Sequence, residues 1–216
     1  MLKDIVIIGA GGVGRETALI IQDINKVNKE WNLLGFIDDN ADIKGSKVNG
    51  YEVLGNLSFL ENYNKEIYVV CAIANYKIKK TIIEKLKNNT NIKYATLVHP
   101  STKINNTVEI GEGCIVYQNV ILTANISIGN HVIISPRCGI GHDARVENYC
   151  SLLWNVSVSG NVLLKEGVLL GSASTIIQGL TVGEGSILGA GTVVIRDIPD
   201  NVTAVGNPAR ILKKMG

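Results

Sequence analysis

The sequence predicts two units in series: a Rossmann-like α/β domain over residues 1–97, then a triangular parallel β-helix over residues 98–216. Three observations support this. Strand-like and helix-like segments alternate in the first part, with a glycine loop after the first strand. An aliphatic residue recurs at every sixth position through the second part. Charge density falls at the seam, from 13 Lys+Arg and 11 Asp+Glu in residues 1–97 to 8 and 8 in residues 98–216, and all four prolines lie beyond it. No Ser/Gly/Pro-rich spacer separates the parts, so the two units are expected to join without a flexible linker.

In the first part, residues 4–8 form an apolar run ending in glycines, and residues 12–27 carry apolar positions at helical spacing. Residues 31–37 read as a second strand ending at Asp38-Asp39, and residues 66–72 as a third. Residues 76–87 read as an amphipathic, lysine-rich helix, and residues 94–98 as a fourth strand leading into the second part. Strands separated by helices imply a parallel sheet. The loop Gly9-x-Gly11-x-x-Gly14, between strand and helix, matches a dinucleotide fingerprint. Two details count against a dinucleotide. The acidic pair begins 29 residues after Gly9, where about 20 is usual, and the unit is short for a complete dinucleotide fold.

From Val98 to Val194, in steps of six, all 17 positions are Ile, Leu or Val. Two residues ahead stand small or mid-sized partners, among them Val108, Cys114, Val120, Cys138, Ala144 and Cys150. A period of six fits neither a 3.6-residue helix nor a flat sheet of period two. It fits a solenoid with three flat sides, six residues to a side and 18 to a coil, coils stacked about 4.8 Å apart. The aliphatic residue then points inward, the smaller one fills the corner, and glycine relieves the turn. On this map Cys114 and Cys150 share an inward column two coils apart, Cys138 occupies another, and Cys71 lies in a buried strand. Packing is the expected role of all four. Their spacing suits neither CxxC chemistry nor zinc, which points to reduced thiols in a cytoplasmic protein.

Composition narrows the function. Hydrophobic residues make up 46% and charged residues 19%, enough apolar surface to bury a core. A net charge of +2 gives no electrostatic case for nucleic acid or an anionic membrane. No apolar run approaches the roughly 18 residues of a bilayer span, so no membrane insertion is expected. Chemistry must then sit on few residues. Of the three histidines, His99 precedes Pro100 at the seam and suits a boundary role. His131 and His142 are 11 apart, not a multiple of six, so they cannot share a column or a metal. His142, in Ile140-Gly141-His142-Asp143, falls at a corner with a carboxylate beside it. One coil further on stands Gly160, whose backbone N–H suits an oxyanion. On spacing alone, an exposed turn histidine with no chemistry is the favoured reading.

The segments Ile7-Ile8-Gly9-Ala10-Gly11-Gly12-Val13-Gly14, Gly35-Phe36-Ile37-Asp38-Asp39, Gly141-His142-Asp143 and Val205-Gly206-Asn207-Pro208-Ala209-Arg210 carry a resemblance. Over essentially its whole length the chain resembles the sugar O- and N-acyltransferases typified by the bacillosamine-pathway and perosamine N-acetyltransferases and the sialic-acid O-acetyltransferase. The resemblance implies a left-handed β-helix, an exception to the usual right-handed crossover. It implies His142 as general base, Asp143 tuning it, and Gly160 donating to the thioester oxygen. It implies acetyl-CoA as co-substrate along the β-helix edge, with Ser151, Ser172 and Ala190 at cofactor-binding positions and no metal. A nucleotide-linked sugar is expected at Gly11, Gly12, Val13, Asp38, Asp39 and Ala74. Two positions depart from the family: Ser151 and Val13 each stand where it carries a histidine.

The resemblance further implies a homotrimer with acetyl-CoA in the groove between neighbouring β-helices. The tail would close that groove, with Arg210 or Lys213 near the CoA phosphates. The implied reaction is acetyl-CoA-dependent N-acetylation of the 4-amino group of a nucleotide-linked deoxy-sugar, for bacterial surface glycan synthesis. Direct transfer is expected, since no cysteine or serine stands beside His142. Three alternatives remain: O-acetylation of a sialic acid or related sugar, a non-catalytic nucleotide-binding β-helix module, and an NAD-dependent enzyme.

Overall fold

The structure, a computed structural model, describes residues 2–214, with side chains described through residue 212. The first unit contains β1 (Lys3–Ile8), α1 (Gly12–Val27), β2 (Trp31–Ile37), β3 (Lys47–Val48), β4 (Tyr51–Gly55), α2 (Ser58–Glu61), β5 (Ile67–Cys71), α3 (Tyr76–Leu86) and β6 (Ile92–Tyr94). They build one sheet in the order β3-β4-β2-β1-β5-β6, parallel except for the β3–β4 hairpin. Ile5, Val6, Ile7 and Ile8 in central β1 are buried, as expected of a strand covered on both faces.

Two sequence expectations need correction. The hairpin and its strand beside β2 were not anticipated, because β3 is too short for periodicity to show. Its turn does carry a signal, Asn49-Gly50, and both residues adopt positive φ (49° and 85°). The single strand expected at residues 94–98 is two elements. The first sheet ends with Tyr94, and Leu97–Val98 begins a different sheet by pairing with Ile115–Val116.

The second unit is a left-handed β-helix with three faces, each a ladder of short parallel strands 18 residues apart. The first face includes Leu97–Val98, Ile115–Val116, Ile133–Ile134, Ser151–Leu152, Leu169–Leu170 and Ile187–Leu188. The second runs from Val108–Ile110 to Thr181–Val182, and the third from Ile121–Leu122 to Val193–Val194. The aliphatic column fills the interior, with Val116, Ile134, Leu152, Leu164 and Leu188 fully buried. Ile104 breaks the pattern: it is exposed and belongs to no strand. The corners turn through left-handed backbone at every sixth residue. Asn, Asp, His, Arg, Tyr and Ala occupy nine of these positions at φ 55–63°, from Asn119 to Ala173. Asn and Asp tolerate this region because their short polar side chains bond locally, so glycine is needed at fewer corners than expected.

The first unit packs on the first face. Leu97, Ile115, Tyr117 and Ile133 join one buried cluster with Ile5, Ile7, Ile20, Ile21 and Trp31. Polar latches cross the same seam. Lys79 of α3 is fully buried, and its Nζ donates to the His131 carbonyl (2.8 Å) and to Ser151 Oγ (3.3 Å). Burial pulls the Lys79 ammonium down to about 8. The Tyr76 hydroxyl donates to Glu166 (2.7 Å) and Tyr117 to the Val13 carbonyl (3.2 Å). His131 stacks on Tyr149 and meets the edge of Tyr94. Its Nδ1 is buried without a partner among the described residues, and burial pulls its imidazole down to about 4. Among the described residues, no helix is long and apolar enough to cross a membrane.

Candidate active site

His142 and Asp143 occupy the corner between the third and second faces, after the inward-facing Ile140 and before Arg145–Val146. Asp143 takes the left-handed turn (φ 60°), fixed by its N–H donating to the Ala124 carbonyl (2.9 Å). That turn brings its carboxylate back against its neighbour, with His142 Nδ1 2.7 Å from Asp143 Oδ2. The hydrogen bond from His142, then one from Asn125 Nδ2 to Asp143 Oδ1 (3.1 Å), holds the Asp143 carboxyl below the usual range. A carboxylate only accepts, so Nδ1 carries the proton and Nε2 is left as a base. Nε2 lies over Gly160, where a Cβ would sit 2.5 Å from it. The Gly160 N–H has no hydrogen-bond partner among the described residues. Base, orienting acid and spare donor therefore meet at one corner. The thiols are poor competitors: burial pushes Cys71, Cys114 and Cys138 up to about 11 and Cys150 to about 12.

The expected cofactor positions are not brought to this corner. Ser172 and Ala190 belong to the corner between the first and third faces, one and two coils beyond Trp154. Ser151 lies on the first face and is fully buried, its hydroxyl donating to the Ala74 carbonyl (3.1 Å). The reading of Ser151 as a cofactor contact fails, because the docked first unit leaves it no surface. Ala74 faces the same seam.

The glycine loop divides by role. Gly9 has φ 97°, and a Cβ on Gly14 would sit 1.8 Å from the Gly9 carbonyl oxygen, so the fold itself requires both. Gly11 and Gly12 are exposed, and a Cβ on either would meet nothing within 4 Å. They leave the start of α1 bare, with no side-chain cap and no acidic residue in the first turn, so its N–H groups can receive an anion. Val13 is half-buried, its carbonyl accepting from Thr17 and Tyr117. Asp38 holds the loop by accepting from the Ala10 N–H (2.8 Å), and Asp39 accepts from the Leu57 N–H (3.1 Å). With Gly9, Leu57, Ile73, Ile78 and Ile82 the two aspartates line a cleft of about 170 Å³.

Sequence reasoning missed Arg196. It shares the His142 column through Gly160 and Gln178, three coils away, or about 14 Å at strand spacing. With Arg210 it lines a cleft of about 490 Å³ at the tail. Counting on by 18 from His142 would have found it. The Lys213 side chain lies outside the described residues.

A hexad-built β-helix with a histidine–carboxylate dyad on its edge, behind a domain with an open helix N-terminus, defines an acyltransferase. Comparison with known proteins agrees. The model of the PglD N-terminal domain matches residues 4–86. A GDP-perosamine N-acetyltransferase of Escherichia coli O157:H7 is 33% identical over 214 residues, 96% of each chain. PerB from Caulobacter crescentus, solved in complex with CoA and GDP-perosamine, has a TM-score of 0.85 at 29% identity over 99% of each chain. WeeI from Acinetobacter baumannii AYE has a TM-score of 0.87 at 30% identity, over 97% of this chain and 100% of that one. The chain belongs to the family of sugar O- and N-acyltransferases built on hexapeptide repeats.

Proposed function

We propose that the protein transfers the acetyl group of acetyl-CoA to the amino group of a nucleotide-linked amino sugar, in bacterial surface glycan synthesis. The observation that carries this is the His142–Asp143 dyad set over the bare Gly160. Asp143 fixes the imidazole so that Nε2 accepts the proton from the attacking amine. The free Gly160 N–H then faces the negative charge that develops on the acyl oxygen. The imidazolium returns its proton to the departing sulfur as the new amide forms. The chain's groups also suit the co-substrate. From the dyad, the edge leads about 14 Å to Arg196, which lines a cleft together with Arg210, so cations stand where an extended pantetheine arm would carry its phosphates. The open start of α1 suits the sugar-nucleotide diphosphate.

The same geometry supports a homotrimer. The first unit covers the first face and reaches its two bordering corners, α1 beside Trp154 and α3 through Tyr76 to Glu166. His142 lies on the remaining corner, opposite that face. A protomer's own glycine loop therefore cannot present a sugar to its own His142, and a neighbour must. Ser172 and Ala190, on another edge, fit the far wall of the same groove when two β-helices lie side by side. We place the protein in the cytoplasm, where its two substrates are made; its four free cysteines accord with that.

The test is CoA release with a panel of UDP-, dTDP- and GDP-linked 4-amino sugars and free sialic acid. Turnover with one or more of the nucleotide-linked amines, and not with sialic acid, is the expected result. Turnover with sialic acid alone would replace the amine by a hydroxyl acceptor.

A further inference from the structure

Asp143 is itself supported from the coil before it, at a residue the motif Gly141-His142-Asp143 does not include. Asn125 lies 18 residues earlier, in the same left-handed corner position (φ 56°), and its Nδ2 donates to Asp143 Oδ1 at 3.1 Å. Asp143 therefore bonds Asn125 with one oxygen and His142 with the other. Asn125 is in turn fixed by its own N–H, which donates to Thr107 Oγ1 at 2.9 Å. The Thr107 hydroxyl donates to Asn105 Oδ1 at 2.7 Å, and Asn105 Nδ2 donates to the Thr123 carbonyl. These bonds form a shelf of side chains along the corner, ending at the imidazole.

The dyad needs such a shelf because it is exposed. The His142 and Asp143 side chains keep 54% and 44% of their accessible surface. An unsupported aspartate beside water samples several rotamers. In most of these its oxygens leave Nδ1, and the neutral imidazole then divides between tautomers, of which only the Nδ1–H form has a basic Nε2. We propose that Asn125 is a positioning residue: by holding one oxygen of Asp143 it keeps the other on His142 Nδ1, and so keeps the imidazole in the tautomer that can act as base. This rests on the reading of His142 as the base.

The test uses Asn125→Gly and Asn125→Asp in the full chain. Both residues accept the left-handed corner, and both remove the donor. Two quantities are read: steady-state kcat and KM, and the His142 tautomer by long-range ¹H–¹⁵N NMR at pH about 8. His99 and His131 are identified by their own variants. Asn125→Gly should lower kcat about threefold to tenfold, the scale of one exposed hydrogen bond to a charged group. Both KM values should stay within about twofold, and the Nδ1–H signal should give way to a tautomer mixture. Asn125→Asp sets a second carboxylate beside the first and should lose more activity. A purely structural role would lower the melting temperature and leave the tautomer and kcat unchanged, which overturns the proposal. Failure of the underlying reading looks different: His142→Asn would then turn over normally, whatever the Asn125 variants do.

Discussion

At the residue scale, the proposed chemistry depends on what Gly160 lacks. A methyl there would occupy the space of Nε2, at 2.5 Å, so Gly160→Ala must displace the imidazole. Its φ lies outside the left-handed region, so the substitution brings little backbone strain. We predict a large loss of kcat, about 10²-fold or more, with nearly unchanged thermal stability. His142→Ala or His142→Asn should lose at least about 10²-fold in kcat, and Asp143→Asn less, because it spares the base. A thiol-release assay beside a thermal melt separates these outcomes from unfolding. That His142, Asp143 and Gly160 meet at one corner was legible in the sequence because a strict 18-residue coil turns spacing into geometry; a chemical role for them came only from the family resemblance. Ser151 was misread for a reason spacing cannot show: the coil map places a residue on a face but does not reveal that a second unit covers that face.

At the element scale, polar latches join α3 to the β-helix across the seam between them. Lys79 stays buried because its ammonium finds two oxygens, yet burial opposes its charge. Lys79→Met, of similar length, fills the space but leaves the His131 carbonyl without its donor, and should lower the melting temperature modestly. Lys79→Ala should lower it further, by leaving a cavity as well as the unpaired acceptor. His131 adds a pH dependence. Its folded imidazole titrates at about 4, against the unfolded value near 6.5. The unfolded chain therefore binds more protons between those values. Stability is full above pH about 6.5 and falls as pH drops toward 4, by a few kcal/mol at most. Denaturant midpoints at pH 7 and pH 5 should show that fall, and His131→Asn should flatten it. The sequence showed the strands and helices flanking this seam but not the latches, which join residues 52 and 72 positions apart. It also passed over the β3–β4 hairpin, although Asn49-Gly50 marked the turn.

At the scale of the whole molecule, the proposed reaction is divided between the first unit and a β-helix corner that faces away from it. The open start of α1 lies with the first unit, while the His142 corner points away from it. Hexad periodicity gave the three-sided cross-section, but only the docked first unit shows which corner is left over. Light scattering should accordingly find a mass three times that of the chain under assay conditions. The central claim, that each site joins the glycine loop of one copy to His142 of another, is tested most directly by complementation. Gly12→Asp sets a carboxylate in open space at the phosphate end without disturbing the fold, and His142→Asn removes the base. Each variant alone should be inactive. Co-expressed in equal amounts, they should assemble at random and recover about one quarter of wild-type activity, the fraction of sites that draw an intact loop from one parent and His142 from the other. Activity no greater than the sum of the two parents would contradict the account, since it would mean that loop and base act within the same chain.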